Sequence, residues 1–320
     1  MSKDKNIKVS VVCLVYNHGK YLRDCLEGIV RQKTDFSFEA IIHDDCSTDD
    51  SVEIINEYAV KYPTIIRPIL EEVNLYSKHN GSLRRAVDKE VKGEYVALCE
   101  GDDFWTDPIK LQMQVDFLDL HPDYTLCFHN VHIIIESNRR QFVKIYSHLK
   151  TGDYSANEII SKWTVPTCSA VMRSECYIER PYDRNFVVGD NVIWMNCCHY
   201  GKVYCINEKM ATYRRRKDGW TLSSYGNNEK KLLTCNRYIL HLDLLSKYFP
   251  GIAVDGIREK KIEYWARIAI LEMGMLKPQF VKTMRNGGRL FGMSFYRSLL
   301  GQLITKIIIR IKVVYNKLKR

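Results

Sequence analysis

The sequence predicts an α/β fold, a sheet covered by helices on both faces, followed by a helical C-terminal region. Through roughly the first 120 residues, nearly continuous apolar runs alternate with segments whose apolar residues recur at helical spacing, as in a doubly wound sheet. From about residue 228 the pattern is helical. At 320 residues the chain can bury a sizeable core, in one large domain or two ordinary ones.

Strands and helices alternate along the first half of the chain. The run from Val9 to Tyr16 predicts a central strand, and Leu22, Cys25 and Ile29 give the next helix one apolar face. Beyond residue 122 the pattern is mixed, with strands over 125–128, 169–172 and 202–206 and a helix over 190–198. The predicted order before that is strand 9–16, helix 21–31, strand 38–43, helix 48–62, strand 65–70, helix 82–91, strand 95–99 and a helix that Pro108 opens and that runs to residue 120.

The composition, 46% apolar and 27% charged, is that of a globular protein. No run approaches the roughly 18 apolar residues of a membrane span, and the first residues, MSKDKNIKVSVV, lack the core of a secretory signal. Eleven scattered cysteines without a C-x-x-C pair fit a reducing compartment. These features predict a cytoplasmic protein.

The net charge of +10 comes from one segment. Residues 280–320 carry ten Lys and Arg and no acid, which leaves 38 basic against 38 acidic residues in the first 279. Nucleic-acid-binding domains more often spread basic residues over the folded surface, with aromatic residues among them. The sequence therefore predicts no nucleic-acid partner.

Three polar clusters follow predicted strands, at the sheet edge where open α/β folds bind ligands. They are residues 16–18, 44–49 and 100–105, and the last two are rich in carboxylates. No glycine-rich dinucleotide or phosphate-loop motif follows the first strand. Carboxylates converging on one edge would repel each other strongly unless a cation or other donors lay between them.

The acidic clusters also have simpler interpretations. Thr48 or Asp49 could cap the following helix, and Asp102 and Asp103 could form a solvated turn. Their position favours a functional site, because they lie directly after a buried strand and before the pair Phe104-Trp105, which could close over a base.

These residues closely resemble glycosyltransferase family 2, whose members are inverting enzymes with the GT-A fold. The resemblance covers about residues 7–225 and implies a Rossmann-like nucleotide-diphospho-sugar transferase with a mixed sheet flanked by helices. It divides the chain into a domain over 1–225, with a donor-nucleotide half (1–120) and an acceptor half (121–225), and a helical region over 226–320. The Glu-Gly-Asp-Asp-aromatic-Trp form is similar to bacterial members that build surface polysaccharides. The motifs that carry the resemblance are Val9-Ser10-Val11-Val12, Tyr16-Asn17, Asp44-Asp45-Cys46-Ser47-Thr48-Asp49, Gly93-Glu94-Tyr95, Glu100 to Pro108, and Lys110-Leu111-Gln112.

The resemblance implies a nucleotide site after the first two strands. Tyr16 and Asn17 would line the donor nucleotide, and Asp45 or its neighbour Asp44 would bind the base by a hydrogen bond.

The resemblance also implies a metal site. Glu100, Gly101 and Asp102 occupy the family's Asp-x-Asp, with Glu100 in place of the first Asp, and Asp103 is the additional Asp. One of Asp102 and Asp103 would hold Mg²⁺ or Mn²⁺ while the other contacts the ribose. Such a cation takes hard oxygen ligands and neutralises the diphosphate that leaves when the sugar is transferred.

An inverting transfer needs a base for the acceptor hydroxyl. In the family this carboxylate begins a helix, which points to Asp190 in Val188-Gly189-Asp190, with Asp183 as the alternative base and helix capping as the structural alternative. Residues 211–220 resemble the family's donor-closing segment, with Arg216 where His is common. Arg214 and Arg216 suit diphosphate oxygens, although a solvated basic loop would have the same composition.

The C-terminal segment predicts a basic amphipathic helix. Apolar residues recur at helical spacing through residues 299–320, with Lys and Arg between them, as in helices that lie on anionic membrane surfaces. A terminal helix packed on the protein is the alternative. The prediction places the protein in the cytoplasm, with peripheral contact to the inner face of the plasma membrane.

The leading hypothesis is a metal-dependent glycosyltransferase that uses a nucleoside diphosphate sugar, of which a UDP-sugar is the expected form, and a saccharide or lipid-linked acceptor. A nucleotidyltransferase would instead carry a basic glycine-rich loop after the first strand, where this chain has residues 16–20, YNHGK. A third alternative is a non-catalytic, membrane-associated family member.

Overall fold

The computed structural model describes residues 7–136, 146–216 and 227–318, and their side chains as far as residue 308. The chain forms two compact units. The first comprises Met1–Arg184 and Val188–Lys217, and the second comprises Asn185–Val187 and Asp218–Arg320.

The first unit contains nine strands and seven α-helices within its described residues. Two 3₁₀-helices, Tyr76–Lys78 and Thr167–Ser169, lie in its loops. The strands are β1 (Ile7–Val15), β2 (Ser37–Asp44), β3 (Ile66–Leu70), β4 (Tyr95–Leu98), β5 (Phe104–Trp105), β6 (Tyr124–Ile135), β7 (Gly152–Asp153), β8 (Val171–Arg173) and β9 (Lys202–Arg215). The helices are α1 (Gly19–Val30), α2 (Ser51–Lys61), α3 (Ser82–Asp88), α4 (Lys110–Leu120), α5 (Ala156–Lys162), α6 (Ser174–Ile178) and α7 (Gly189–Tyr200).

All nine strands belong to one mixed sheet. Its order is β3-β2-β1-β4-β8-β6-β9-β5, and β7 also pairs with β9. Strands β1 to β4 are parallel to their neighbours in the first half, whereas β8 is antiparallel to both β4 and β6. Because β1, β2 and β4 run in the same direction, the segments that follow them emerge at one edge of the sheet.

The core forms around the central strands, as the apolar patterns predict. Strand β1 is buried along most of its length, and helix α1 packs Leu22, Cys25, Leu26 and Ile29 inward. These helix positions are three and four residues apart, which places them on one face. The predicted sheet covered on both faces is confirmed.

Several element boundaries differ from the prediction. Helix α4 begins at Lys110, two residues beyond Pro108, and residues 167–169 form a 3₁₀-helix where a strand was expected to begin. Strands β6 and β9 continue well beyond the short apolar runs that predicted them. Their later residues are partly exposed, so the apolar signal ends before the backbone pairing does.

The short strand β5 was not predicted, yet it fixes the acidic turn. Phe104 pairs with Thr212 and Trp105 with Ala211, in antiparallel register with β9. The turn between β4 and β5 therefore follows β4 directly and is attached through β5 to β9. These two strands, β4 and β9, lie more than a hundred residues apart in sequence.

The second unit is helical within its described residues. Its helices are α8 (Asn228–Tyr248), α9 (Val254–Gly274), α10 (Gln279–Phe291) and α11 (Met293–Leu318). Ala266, Ala269 and Phe295 form a small core between the last three. A Cβ at Gly287 would lie 2.6 Å from the Phe295 ring, so α10 and α11 approach closely only because this residue is glycine.

Two further observations concern the cysteines and the helices. All eleven cysteines are free thiols. Within the described residues, no helix combines the length and apolarity that crossing a bilayer requires.

Candidate active site

Three carboxylates gather in the turn that follows β4. Glu100, Asp102 and Asp103 each place a ligand oxygen within 4.8 Å of the others. The turn is held by its backbone, since the amide of Gly101 donates to the carbonyl of Leu14 at 3.0 Å and that of Asp103 to the carbonyl of Glu100 at 2.9 Å.

Glycine is required inside this turn because neighbouring side chains leave no space. A Cβ at position 101 would lie 2.8 Å from Nδ1 of His18 and 3.1 Å from Cγ2 of Val15. A larger residue would push the turn away from β1, and with it the carboxylates on either side.

Asp103 is the most deeply buried of the three carboxylates. Its side chain is inaccessible to solvent, and Oδ1 accepts a 2.7 Å hydrogen bond from the backbone amide of Arg214. Oδ2 has no hydrogen-bond partner among the described residues. Burial, together with the charge of Asp102, raises the pKa of the Asp103 carboxyl well above its usual range.

The acidic turn has the donor set of a hard divalent cation. Burial raises the pKa of Glu100 well above normal, and the nearby carboxylates of Asp190, Asp102 and Asp103 add to this rise. A cation bound by these oxygens would favour their ionised forms and would give the buried Oδ2 of Asp103 a partner. Carboxylate oxygens suit Mg²⁺ and Mn²⁺, so the residues present fit the predicted metal.

Two arginines at the end of β9 face the acidic turn. Arg214 donates to the backbone carbonyl of Asp102 at 3.1 Å, forms an ion pair with Asp24 and lies over the Phe104 ring at 4.5 Å. Arg216 forms an ion pair with Oδ2 of Asp102 at 3.3 Å. The guanidinium groups are thus placed beside carboxylates rather than spread over a solvated loop.

The residues after β1 and β2 form one connected cluster. Asn17 has a left-handed backbone (φ 54°), and its Oδ1 accepts from the amide of Thr48 at 2.8 Å while its own amide donates to Ser47. Tyr16 is 47% exposed beside it.

The two aspartates of this cluster have different surroundings. Both oxygens of Asp45 accept backbone amides, those of Leu75 at 2.6 Å and Tyr76 at 3.0 Å. Asp44 accepts from the amide of Ser47 through Oδ1, and its buried Oδ2 has no partner among the described residues.

Asp190 lies in the first turn of α7, partly buried. Its Oδ2 accepts a 2.6 Å hydrogen bond from the hydroxyl of Thr167. Burial raises the pKa of its carboxyl, against the opposing effects of Thr167 and the Arg180 guanidinium. Its charge also adds to the rise of the Glu100 pKa that burial causes.

The family assignment rests on comparison with known proteins. The model of the family described as glycosyl transferase family 2 matches residues 10–179, more than half of the chain. The chain belongs to this family.

Two relatives are similar to this chain over most of its length. The uncharacterised protein Rv1520 of Mycobacterium tuberculosis is 37% identical over 225 residues, which cover 69% of this chain and 63% of that protein. The chain thus spans just under two thirds of that relative. EpsE of Bacillus subtilis, whose name assigns it provisionally to the glycosyltransferases, is 35% identical over 276 residues, covering 80% of this chain and 94% of EpsE.

The GT-A fold is also found among solved structures. TarS of S. aureus, residues 1–349 solved with UDP-GlcNAc, superposes with a TM-score of 0.57 at 18% identity, covering 91% of this chain and 92% of TarS. The predicted fold class is confirmed by this likeness and by the family match.

Two predictions from the sequence, the role of Trp105 and the N-cap of α2, are wrong. Trp105 cannot close over a base, because it is fully buried and its indole N–H donates to the carbonyl of Cys168 at 2.8 Å. Neither Thr48 nor Asp49 is the N-cap of α2, which is Asp50. Asp49 instead accepts the amides of Gly19 and Ser51, joining the starts of α1 and α2.

Other residues near the carboxylates were not predicted from the sequence. Nε2 of His18 lies 3.9 Å from Oδ2 of Asp102. Burial raises the pKa of Tyr146, and the charges of Asp103 and Asp190 are among the smaller contributions to that rise. Thr167 and Tyr146 lie in parts of the chain without a sequence motif. The Lys217 to Trp220 part of the segment compared with the donor-closing loop lies outside the described residues.

Proposed function

We propose that this protein is an inverting glycosyltransferase that moves a sugar from a nucleoside diphosphate sugar to a saccharide or lipid-linked acceptor in surface polysaccharide biosynthesis. The observation that carries the proposal is the group of carboxylates after β4, Glu100, Asp102 and Asp103, whose ligand oxygens all lie within 4.8 Å of one another. In the same proposal residues 1–225 form the catalytic domain, 1–120 serving the donor and 121–225 the acceptor, and 226–320 form the helical region.

The donor nucleotide is assigned to the cluster after β1 and β2. Tyr16 is exposed enough to contact a nucleoside, Asn17 holds the 44–49 loop, and Asp45 or its neighbour Asp44 would accept a hydrogen bond from a base N–H. UDP is the proposed nucleotide, and the UDP-GlcNAc bound to TarS, a protein of the same fold, supports it.

The diphosphate is assigned to the acidic turn, through a divalent cation. Asp102 and Asp103 would hold Mg²⁺ or Mn²⁺, with Glu100 beside them, and the bound cation would supply charge neutralisation for the leaving diphosphate. Arg214 and Arg216 would add charge-assisted hydrogen bonds to phosphate oxygens. Gly101 keeps the turn against β1.

Asp190 is the proposed general base. The acceptor hydroxyl oxygen forms a bond to the anomeric carbon while the bond from that carbon to the diphosphate oxygen breaks. The hydroxyl proton passes to a carboxylate oxygen of Asp190, and the electron pair leaves with the diphosphate. Because Oδ2 of Asp190 accepts the Thr167 hydroxyl, Oδ1 is the oxygen available for the acceptor.

Thermal-shift measurements test the donor assignment. UDP-GlcNAc, UDP-glucose, UDP-galactose and GDP-mannose are compared with and without Mn²⁺, and we expect a UDP-sugar to raise the Tm only when Mn²⁺ is present. No metal-dependent shift with any of the four would contradict the proposal.

The catalytic assignment is tested separately with Asp190→Asn. We expect this variant to keep the thermal shift and to release UDP from the best donor about 100-fold more slowly or worse, because the base is lost while donor binding remains. Full activity of Asp190→Asn would remove Asp190 as the base.

We also propose that α11 contacts an anionic membrane surface on the cytoplasmic side, through residues 299–320. Within the described side chains, one face of α11 packs Phe295 and Leu299 on the α9–α10 core. The opposite face is apolar too, and its members are 40–68% exposed: Met293, Tyr296, Leu300, Ile304, Ile307 and Ile308. The ten cations and no acid of residues 280–320 complement anionic lipid headgroups.

Vesicle sedimentation tests this contact. The triple variant Leu300→Ser, Ile304→Ser, Ile307→Ser and a deletion of residues 299–320 are expected to lose binding to phosphatidylserine vesicles, whereas Thr305→Ala on the same helix keeps it. Unchanged sedimentation of the deletion variant would contradict the proposal, as would gel-filtration evidence that the apolar face joins two copies of the chain.

A further inference from the structure

The 3₁₀-helix Thr167–Ser169 connects the proposed base with the strand that follows the acidic turn. The hydroxyl of Thr167 donates to Oδ2 of Asp190 at 2.6 Å, and the next residue, Cys168, is hydrogen-bonded to Trp105 of β5. Asp190 lies at the start of α7 and Trp105 lies two residues after Asp103, so two adjacent residues connect the proposed base with the end of the acidic turn.

The backbone of this 3₁₀-helix is fixed independently of Asp190. The carbonyl of Cys168 accepts the indole N–H of Trp105 at 2.8 Å, and that of Ser169 accepts the side-chain amide of Gln114 at 2.9 Å. Cys168, Ser169, Trp105 and Gln114 are all fully buried. Each donor belongs to a regular element, β5 or α4, so the segment cannot move without breaking buried hydrogen bonds.

The Thr167 hydroxyl has a specific effect on the Asp190 carboxylate. A donated hydrogen bond occupies Oδ2, limits rotation of the carboxylate and leaves Oδ1 for an acceptor hydroxyl. It also stabilises the ionised form, which is the form a base needs, in a place where burial disfavours it.

We propose that Thr167 and Cys168 form a positioning segment that sets where the base stands relative to the metal-binding carboxylates. The inference rests on the proposed function, since it takes Asp190 as the base. Thr167 is a positioning residue because it acts on the acceptor through Asp190, without contacting the reacting atoms.

The test compares Thr167→Val, which keeps the shape and removes the donor, with Thr167→Ser, which keeps the hydroxyl. Activity is the release of the nucleoside diphosphate, with water as acceptor, from whichever of the four nucleotide sugars named above gives the largest Mn²⁺-dependent thermal shift. We expect Thr167→Val to lower kcat about 10- to 100-fold, the usual worth of a hydrogen bond to a charged group, with an unchanged donor KM. Thr167→Ser should restore most of kcat.

Thr164→Val is the matched control. Thr164 is buried in the same loop, but its hydroxyl donates to the carbonyl of Glu158 at 2.9 Å and to no active-site carboxylate. We expect this variant to lower the Tm without changing kcat. Should Thr167→Val fail to fold, Thr167→Ala replaces it in the same comparison.

The outcomes separate this inference from the function on which it rests. A Thr167→Val variant with wild-type kcat beside an inactive Asp190→Asn would overturn the positioning role and leave the base assignment standing. A kcat loss that Thr167→Ser fails to rescue would overturn it as well. If Asp190→Asn itself is fully active, the proposed function fails first.

Discussion

Nη1 of Arg216 lies 3.3 Å from Oδ2 of Asp102, so the guanidinium proposed for the donor diphosphate pairs with the acidic turn. The Arg216 side chain is only 9% exposed there. A diphosphate and cation entering the turn would therefore compete with Asp102 for this arginine, and Arg216 could change partners without a large movement.

We expect Arg216→Met to raise the donor KM about 10-fold, which corresponds to about 1.4 kcal/mol of lost charge-assisted bonding. UDP-release kinetics in Mn²⁺ measure the change. Arg23→Met is the control, because Arg23 forms an ion pair with Glu57 on the exposed surface between α1 and α2. A donor KM unchanged in Arg216→Met would show that Arg216 does not contact the donor.

Replacing Asp103 distinguishes the two candidate metal ligands. We expect Asp103→Asn to abolish the Mn²⁺-dependent thermal shift and to lower kcat/KM by about 100-fold or more, since a metal contributes several kcal/mol of charge stabilisation. Without ligands its Tm should equal or exceed that of the wild type, because a buried carboxylate beside Asp102 is removed. Asp116→Asn, an exposed change on α4, is the control; loss of the shift in Asp102→Asn alone would assign the metal to Asp102.

Lys110 should make stability depend on pH. It is fully buried, and its Nζ lies 4.2 Å from the centre of the Trp105 ring. Burial lowers the pKa of Lys110 to about 7, below the 10.5 of an exposed lysine, so the unfolded chain holds an extra proton between these values. Below pH 7 the buried lysine therefore lowers the free energy of unfolding by its full amount. This loss of stability becomes smaller as the pH rises toward 10.5, by at most about 1.4 kcal/mol per pH unit.

Urea unfolding at pH 7, 8 and 9 measures this effect as a difference between variants. The free energy of unfolding of Lys110→Met minus that of the wild type should be largest at pH 7 and shrink as the pH rises. Lys33→Met, at an exposed position, should give a difference that stays flat. A flat difference for Lys110→Met would mean that the amine keeps its proton throughout.

His241 should make the stability of the helical unit depend on pH in the acidic range. Its ring is buried, Nδ1 lies 3.4 Å from the backbone amide of Val187, and burial lowers its pKa from 6.5 to about 4. The unfolded chain binds a proton first as the pH falls, so this stabilising contribution is complete above pH 6.5. It decreases between pH 6.5 and 4, by about 3 kcal/mol in total.

We expect His241→Phe to remove that part of the acid sensitivity. Unfolding by urea at pH 7, 6 and 5 measures it, and His121→Gln, at an exposed position, is the control. If the free energy of unfolding of His241→Phe fell with pH as steeply as that of the wild type, His241 would not be the source of this acid sensitivity.

The sequence predicted the parts of the site that follow strands. Apolar runs located β1, β2 and β4, and the polar residues after each of them do lie at one sheet edge, because parallel strands end on the same side. Asp102 and Asp103 were therefore recognisable. Arg214 and Arg216 were found through the resemblance alone, and the structure brings both to the acidic turn.

The parts that the sequence did not predict depend on long-range packing. Trp105 was expected to face a ligand because it follows acidic residues, but its pairing with β9 turns it into the core. Thr167 belongs to no motif, and its contact with Asp190 depends on the path of the chain between α5 and β8. Residue types alone carry no signal for either outcome.

The pairing of β5 with β9 has a consequence for how the protein is made. Oδ1 of Asp103 accepts a hydrogen bond from the amide of Arg214, which is synthesised more than a hundred residues after Asp103. Contacts so distant in sequence form late in folding, after the local β-α units of the first half. A nascent chain that ends before β9 would lack the Arg214 amide and the partner strand of β5, so binding competence should arise at the end of synthesis of this unit, as a single late event.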